Sequence, residues 1–176
     1  MQFTNFNPFN EDLIQVVIET PKGSQHKYAF DVDLQIFRLK KTLPIGSVFP
    51  FDFGFIPNTA GGDGDPLDVL VMNDEPSCLG CLVECRVLGV LMAKQKEKNG
   101  KTVRNDRIIA VSACSILFAN IKKIKHLNDD MSTQIQNFFI DYNKQLGKKF
   151  IPLKFTGASY AHELIRNAVN ENMHKA

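Results

Sequence analysis

No stretch of this sequence stays apolar for the roughly 18–20 residues that a helix needs to cross a bilayer. The opening residues, MQFTNFNPFNEDL, lack the basic start and apolar middle of a secretory leader. Together these absences point to the cytoplasm and away from a membrane. There is little charge of either sign in excess: the formal net charge is +2. That argues against a broad basic field for nucleic acid and against an acidic solvating tail. Cysteine is scarce, at four residues, Cys78, Cys81, Cys85 and Cys114. The Cys78-x-x-Cys81 pair has the spacing of a redox motif or half a zinc site, but a second ligand pair at zinc spacing is missing, and reduced thiols are the reading. Repeats, low-complexity tracts and linker-like segments are absent. What remains is 176 residues, 44% hydrophobic and 23% charged, enough for one sizeable core, so residues 1–176 read as a single domain.

The first two-thirds of the chain alternate short apolar runs with turn residues. DLIQVVIET (12–20) alternates and stops at Pro21-Lys22-Gly23. Residues 26–42 suggest a hairpin with apolar positions at Leu34, Ile36 and Leu39. A turn-rich stretch, SVFPFDFGFIPNTAGG, carries Phe49, Phe51, Phe53 and Phe55. DVLVM (68–72), CLVECRVLGVLMA (81–93) and RIIAVSA (107–113) predict three more strands, the last two flanking a polar loop that turns near Asn99-Gly100. Helical spacing then takes over. Residues 131–146 place Ile135, Phe138, Phe139, Tyr142 and Leu146 on one face, and residues 159–173 do the same with Ala161, Leu164, Ile165, Ala168 and Val169. Strands followed by two helices describe an α+β fold, most simply a small β-barrel with flanking helices.

The densest chemistry lies in GGDGDPLDVLVM, residues 61–72, where Asp63, Asp65 and Asp68 run into an apolar strand. Pro66 fixes its own φ and biases Asp65 to an extended backbone, so the segment is a rigid turn entering a strand. Such a turn either lies solvated or aims its carboxylates at one cation. Oxygen-only donors favour a hard ion such as Mg²⁺ or Ca²⁺ over zinc. An EF-hand is excluded, because the loop's fifth and sixth positions from Asp63 are Leu67 and Asp68 and a strand follows.

Asp-Gly-Asp-Pro-Leu-Asp-Val (63–69) resembles the signature of the soluble family I inorganic pyrophosphatases, and the resemblance extends along nearly the whole chain. VVIETP (16–21) with Glu19, Lys27-Tyr28, FPFDFGFIPNT, CRVLGVL, RIIAVS and IQNFFIDYNK follow in family order. The resemblance implies a five-stranded, OB-like β-barrel with flanking helices and Mg²⁺-dependent hydrolysis of pyrophosphate to two phosphates, with Mn²⁺ as an alternative ion. It implies a homo-oligomer, commonly a hexamer. It implies metal ligation by Asp63, Asp65 and Asp68, with Asp65 also accepting a proton from the nucleophile. Glu19 would support the site and Tyr142 would act beside it. Lys27, Lys41, Arg107 and Tyr142 would contact phosphate.

Against that pattern the sequence departs at several positions. An acidic residue of the family is replaced by Ala29, and two tyrosines by Phe49 and Phe53. A lysine is replaced by Asn143 and two metal-binding aspartates by Gln95 and Asn105, with Asp106 as the alternative for the second. The loop from Lys94 to Arg107 carries six basic residues against Glu97 and Asp106, a formal charge of +4. Read plainly it is a solvated hairpin tip. Read functionally, its cations partly replace missing metals, since ammonium and guanidinium groups bind phosphate but do not acidify water. Two alternatives accompany the pyrophosphatase reading: an inactive paralogue that binds phosphate, nucleotide or a partner subunit, and an OB-type nucleic-acid binder stacking bases on the phenylalanines. Weak net charge speaks against the second.

Overall fold

The structure, a computed structural model, describes residue 3, residues 6–62 and residues 64–173. In chain order its elements are β1 (Phe9–Asn10), β2 (Leu13–Thr20), β3 (His26–Asp31), β4 (Ile36–Thr42), β5 (Asp52–Phe55) and β6 (Asp68–Met72). They continue with β7 (Leu82–Lys96), β8 (Thr102–Arg104), β9 (Arg107–Ser112), a 3-10 turn (Ile124–His126), α1 (Asp129–Gln145), β10 (Lys149–Gly157) and α2 (Ala158–Met173).

Five strands close on themselves. β2 pairs with β5, β5 with β6, β6 with β9 and β9 with β7, and β7 returns to β2. The ring is the expected OB-like barrel, and closure leaves these strands without free edges. The β6–β9 pair alone is parallel, with Val69 opposite Ile108. Both strands are buried on both faces, which is why DVLVM and RIIAVS read as continuous apolar runs rather than alternating ones. Alternate residues of β6 and β9 divide between two apolar clusters. Val69, Val71, Ile108 and Ala110 join Ile14, Val16 and Ile18 of β2 beneath Ala161, Ile165 and Ala168 of α2. Leu70, Met72, Ile109 and Val111 pack on the other side with Ile135 and Phe139 of α1.

β7 is the organising strand. Its first residues pair with β2, its middle with β9, and its last eight with β10, while Lys94–Lys96 also pair with β8. Two close approaches let these strands meet. A Cβ at Gly54 would lie 2.1 Å from the Val17 carbonyl oxygen, and one at Gly89 2.0 Å from that of Thr156. α1 begins at Asn128, whose side chain accepts from the Met131 N–H at 2.8 Å, with Asp129 and Asp130 in the first turn.

The hairpin β3–β4 stands apart from the barrel sheet. Its Leu34, Ile36 and Leu39 are exposed, while Phe30 and Phe37 turn inward onto Phe3 and Phe55. Among the described residues no helix is long and apolar enough to cross a membrane. All four cysteines are free thiols. Cys85 is buried and Cys81 partly so, and burial pushes both thiols up from their ordinary value. Phe49, Phe53 and Phe55 are between 1% and 6% exposed, which buries three of the four phenylalanines that base stacking would need; Phe51 is partly buried.

Candidate active site

A cleft of about 690 Å³ lies between the aspartate turn, the β3–β4 hairpin, the far end of β7 and the C-terminal half of α1. Its lining includes Glu19, Asp65, Asp68 and Glu97 on the acidic side and Lys27, Lys40, Arg107 and Lys148 on the basic side. Phe49, Phe53, Phe139 and Tyr142 supply apolar and phenolic surface.

The aspartate turn is held at its base by Thr59. Its hydroxyl donates to the Ile56 carbonyl at 2.7 Å and accepts from the Leu67 N–H at 3.0 Å, while Ile56 N–H bonds Leu67 O at 3.0 Å. Gly64, at φ 92°, makes the reversal that brings the Gly61 N–H to the Asp65 carbonyl at 2.7 Å. The Ala60 N–H bonds the Ala168 carbonyl at 3.0 Å, tying the turn to α2. The turn therefore presents Asp65 and Asp68 to the cleft from a braced backbone. Asp63 lies outside the described residues.

Acid and base are already paired across the cleft. Glu19 at the end of β2 is 8% exposed. It accepts from Lys27 Nζ at 2.9 Å and from the Phe30 N–H at 2.8 Å. Lys27 also lies 4.3 Å from the centre of the Phe53 ring. Arg107, 6% exposed, pairs with Asp68 and donates to the Asn105 side chain, and its guanidinium rests 5.4 Å from the Phe139 ring. Lys148 pairs with Glu97 at 2.9 Å. Asn105 donates to Gln95 Oε1 at 3.0 Å and Gln95 to Glu97, so an amide wall connects the last two pairs. Burial pushes the Tyr142 phenol up to about 12; the Asp68 and Glu19 carboxylates add to the rise and Arg107 opposes it. Tyr142 therefore stays protonated through neutral pH.

Of the residues read from the sequence, Glu19, Lys27, Asp65, Asp68, Arg107 and Tyr142 meet at this cleft. Two do not. Asp106 lines an adjoining cavity of about 90 Å³ that shares Asp68, Asn105 and Arg107 with the cleft. Its nearly buried carboxylate accepts from the Ala93 N–H at 2.9 Å and pairs with Arg104 at 2.5 Å. Lys41, opposite Lys27 in the hairpin, is not among the lining residues; Lys40 is. The Lys41 ammonium sits 4.6 Å from the Tyr142 ring centre, and burial holds its pKa below the usual lysine value. Asn143 is 2% exposed and spends its amide on the Phe139 carbonyl at 2.9 Å. Lys148, which nothing in the sequence singled out, supplies a cation on that side. It follows Gly147, at φ 68°, in the turn that ends α1.

The donor chemistry fits a divalent cation on one side of the cleft. Asp65 and Asp68 offer carboxylate oxygens from the braced turn, whereas the facing wall offers the amides of Gln95 and Asn105 and the Arg107 guanidinium. Among the described residues no three metal-ligating side chains converge. Among the described residues of the lining, four acids and four bases cancel formally, so these groups give a polyanion little net attraction until cations enter with it.

A closed five-stranded ring thus carries carboxylates and cations side by side in one cleft. The family model for inorganic pyrophosphatase matches residues 16–173. The chain is 39% identical over 137 residues to an inorganic pyrophosphatase of Synechocystis sp., covering 78% of each chain. It is 38% identical over 146 residues to that of Thermus thermophilus, covering 83% of this chain and 81% of the other. The crystal structure of the Thermus thermophilus inorganic pyrophosphatase superposes with a TM-score of 0.88 at 29% identity, covering 98% and 99% of the two chains. That of the Neisseria gonorrhoeae inorganic pyrophosphatase gives 0.86 at 28% identity, over 97% and 98%. The chain belongs to the inorganic pyrophosphatase family.

Proposed function

We propose that this protein is an inorganic diphosphatase that hydrolyses pyrophosphate to two phosphates with Mg²⁺, accepting Mn²⁺ as well. Family I pyrophosphatases are metal-dependent, and the carboxylate side of the cleft supports the same need here. The observation that carries the reading is the cleft itself: Asp65 and Asp68, able to hold a metal, line it together with Lys27, Arg107 and Lys148, able to hold phosphoryl groups.

Asp65 and Asp68 would hold the metal, with Asp63 two residues before Asp65 in the sequence, and a divalent ion held by them would neutralise phosphoryl charge and acidify water. The chain's own groups do the rest. Lys27, Arg107 and Lys148 take phosphoryl oxygens, and Tyr142 donates its phenolic hydrogen without ionising. Asp65, on the rigid turn, accepts the proton lost by the attacking water. Glu19 fixes Lys27 and the hairpin backbone at Phe30. The aromatic surface of Phe49, Phe53 and Phe139 excludes bulk water and strengthens each charge interaction. Asp106 serves as a brace for Arg104 and β7. Gln95 and Asn105 ligate a hard cation less well than carboxylates, so the protein binds fewer divalent ions than a site with acids on both walls. We further propose a single-domain chain acting in the cytoplasm as a homo-oligomer.

Phosphate release from pyrophosphate and Mg²⁺, compared between the protein and Asp65→Asn, tests the reading. The variant should lose about 10²–10⁴ of the rate if Asp65 is the proton acceptor. Equal and negligible release from both at saturating Mg²⁺ and Mn²⁺ would sink the enzyme reading.

A further inference from the structure

Asp68 and Arg107 begin the two parallel strands β6 and β9, whose register sets Val69 opposite Ile108. Strand pairing therefore brings their side chains together. The guanidinium, however, is poorly shared out. Its Nη1 serves Asp68, Asn105 and, at 3.2 Å, the Asp106 carbonyl, three acceptors for a nitrogen with two hydrogens. Its Nε is buried with no hydrogen-bond partner among the described residues. The other two pairs of the cleft differ. Glu19 is anchored by the Phe30 N–H as well as by Lys27, and the Lys148 side chain is 31% exposed where that of Arg107 is 7%. Asp68–Arg107 is the pair that joins the metal-holding turn to a cation with donor capacity in reserve.

We propose that the Asp68–Arg107 pair is an exchange latch: a divalent cation arriving at Asp68 releases Arg107, and the released guanidinium becomes the receptor for a phosphoryl group. One carboxylate does not serve a guanidinium and a divalent ion at full strength, and the two cations repel each other. Entry of the metal also adds positive charge to the cleft, so the anion is drawn in by the ion and by the side chain it has displaced. Metal and phosphate binding then reinforce each other through Arg107. The identity of the anion rests on the pyrophosphatase reading; the exchange does not.

Calorimetric titration of the metal-stripped full chain with Mn²⁺, with and without inorganic phosphate, tests the latch in the natural protein, R107Q and R107K. Removing the competing guanidinium should tighten Mn²⁺ binding about tenfold in R107Q, the size of one charge-assisted hydrogen bond. The enhancement of phosphate binding by Mn²⁺ should shrink by a similar factor, because coupling is reciprocal. R107K, which keeps the charge but loses the fork, should fall between. In the natural protein, Mg²⁺ alone should move the Arg107 Nε–H resonance, a readout that needs no variant. Unchanged Mn²⁺ affinity in the folded variants, or an Arg107 signal indifferent to Mg²⁺, overturns the latch. Pyrophosphate hydrolysis is assayed separately: its absence beside an intact exchange sinks the enzyme reading and leaves the latch standing.

Discussion

Glu19→Ala tests how the cleft is held in its working shape. The Glu19 and Lys27 side chains are 11% and 13% exposed and bond at 2.9 Å. Deleting the carboxylate leaves a largely buried ammonium without its counter-charge, which costs about 3 kcal/mol at the low end for such pairs. The Phe30 N–H loses its acceptor too, at about 1 kcal/mol. Lys27 keeps its place over the Phe53 ring, 4.3 Å away, so that contact cancels between the two proteins. The loss of about 4 kcal/mol corresponds to a fall in melting temperature of about 8–16 °C for a chain of this size. Thermal unfolding by circular dichroism in chelator measures it without interference from metal. Glu19→Gln/Lys27→Met removes both charges and keeps a side-chain acceptor for Phe30, so it should recover more than half of the loss. A fall well below about 8 °C in the single variant, the lower end of the size scaling, or no recovery in the double variant, refutes the claim that this pair organises the hairpin against the barrel.

The Tyr142 phenol ionises near 12 in the fold against an ordinary value of 10.0. The unfolded chain therefore loses this proton first as pH rises. Stability from this group is full below pH 10 and drains by about 2–3 kcal/mol between pH 10 and 12; a denaturation series over that range should lose this component in Tyr142→Phe. Gly54→Ala places a methyl group 2.1 Å from the Val17 carbonyl oxygen and should cost about 3 kcal/mol or more by forcing β2 from β5. Wild-type solubility and melting temperature in that variant would contradict the packing.

The barrel was legible because its strands are apolar in lengths and at spacings that only strands satisfy. Residues 12–20, 68–72, 81–93 and 107–113 correspond to β2, β6, β7 and β9, and both helices fall within two residues of their sequence positions. β10 was not legible. It carries Pro152 and three lysine or threonine side chains in an edge position, paired only with β7 and broken by an irregularity between Pro152 and Lys154. β5 was hidden in the turn-rich phenylalanine stretch because it is four residues long and contains Gly54. At the site, the family pattern brought Glu19, Lys27, Asp65, Asp68, Arg107 and Tyr142 together, since each is tied to a strand end or a helix turn. Lys40 and Lys148 escaped because a surface lysine carries no local signature. Which lysine of β4 faces the cleft depends on the register shift between Lys27 and Tyr28, a tertiary detail. Asp106 looked like a ligand by position, yet the Ala93 N–H and Arg104 claim its carboxylate.

The order in which the ring is assembled also sets a timetable for synthesis. β2, β5 and β6 leave the ribosome as a three-stranded meander, and β6 has no second neighbour until β9 follows some 40 residues later. β9, which shuts the ring by pairing with both β6 and β7, and the α2 helix that covers its apolar filling arrive later than the strands they protect. For much of translation the nascent chain presents Val69, Val71 and their neighbours to whatever surrounds them. Such long-range closure is slow and exposes sticky intermediates. Holding factors at the ribosome exit, more than the stability of the finished barrel, should govern how much protein is recovered when the gene is overexpressed.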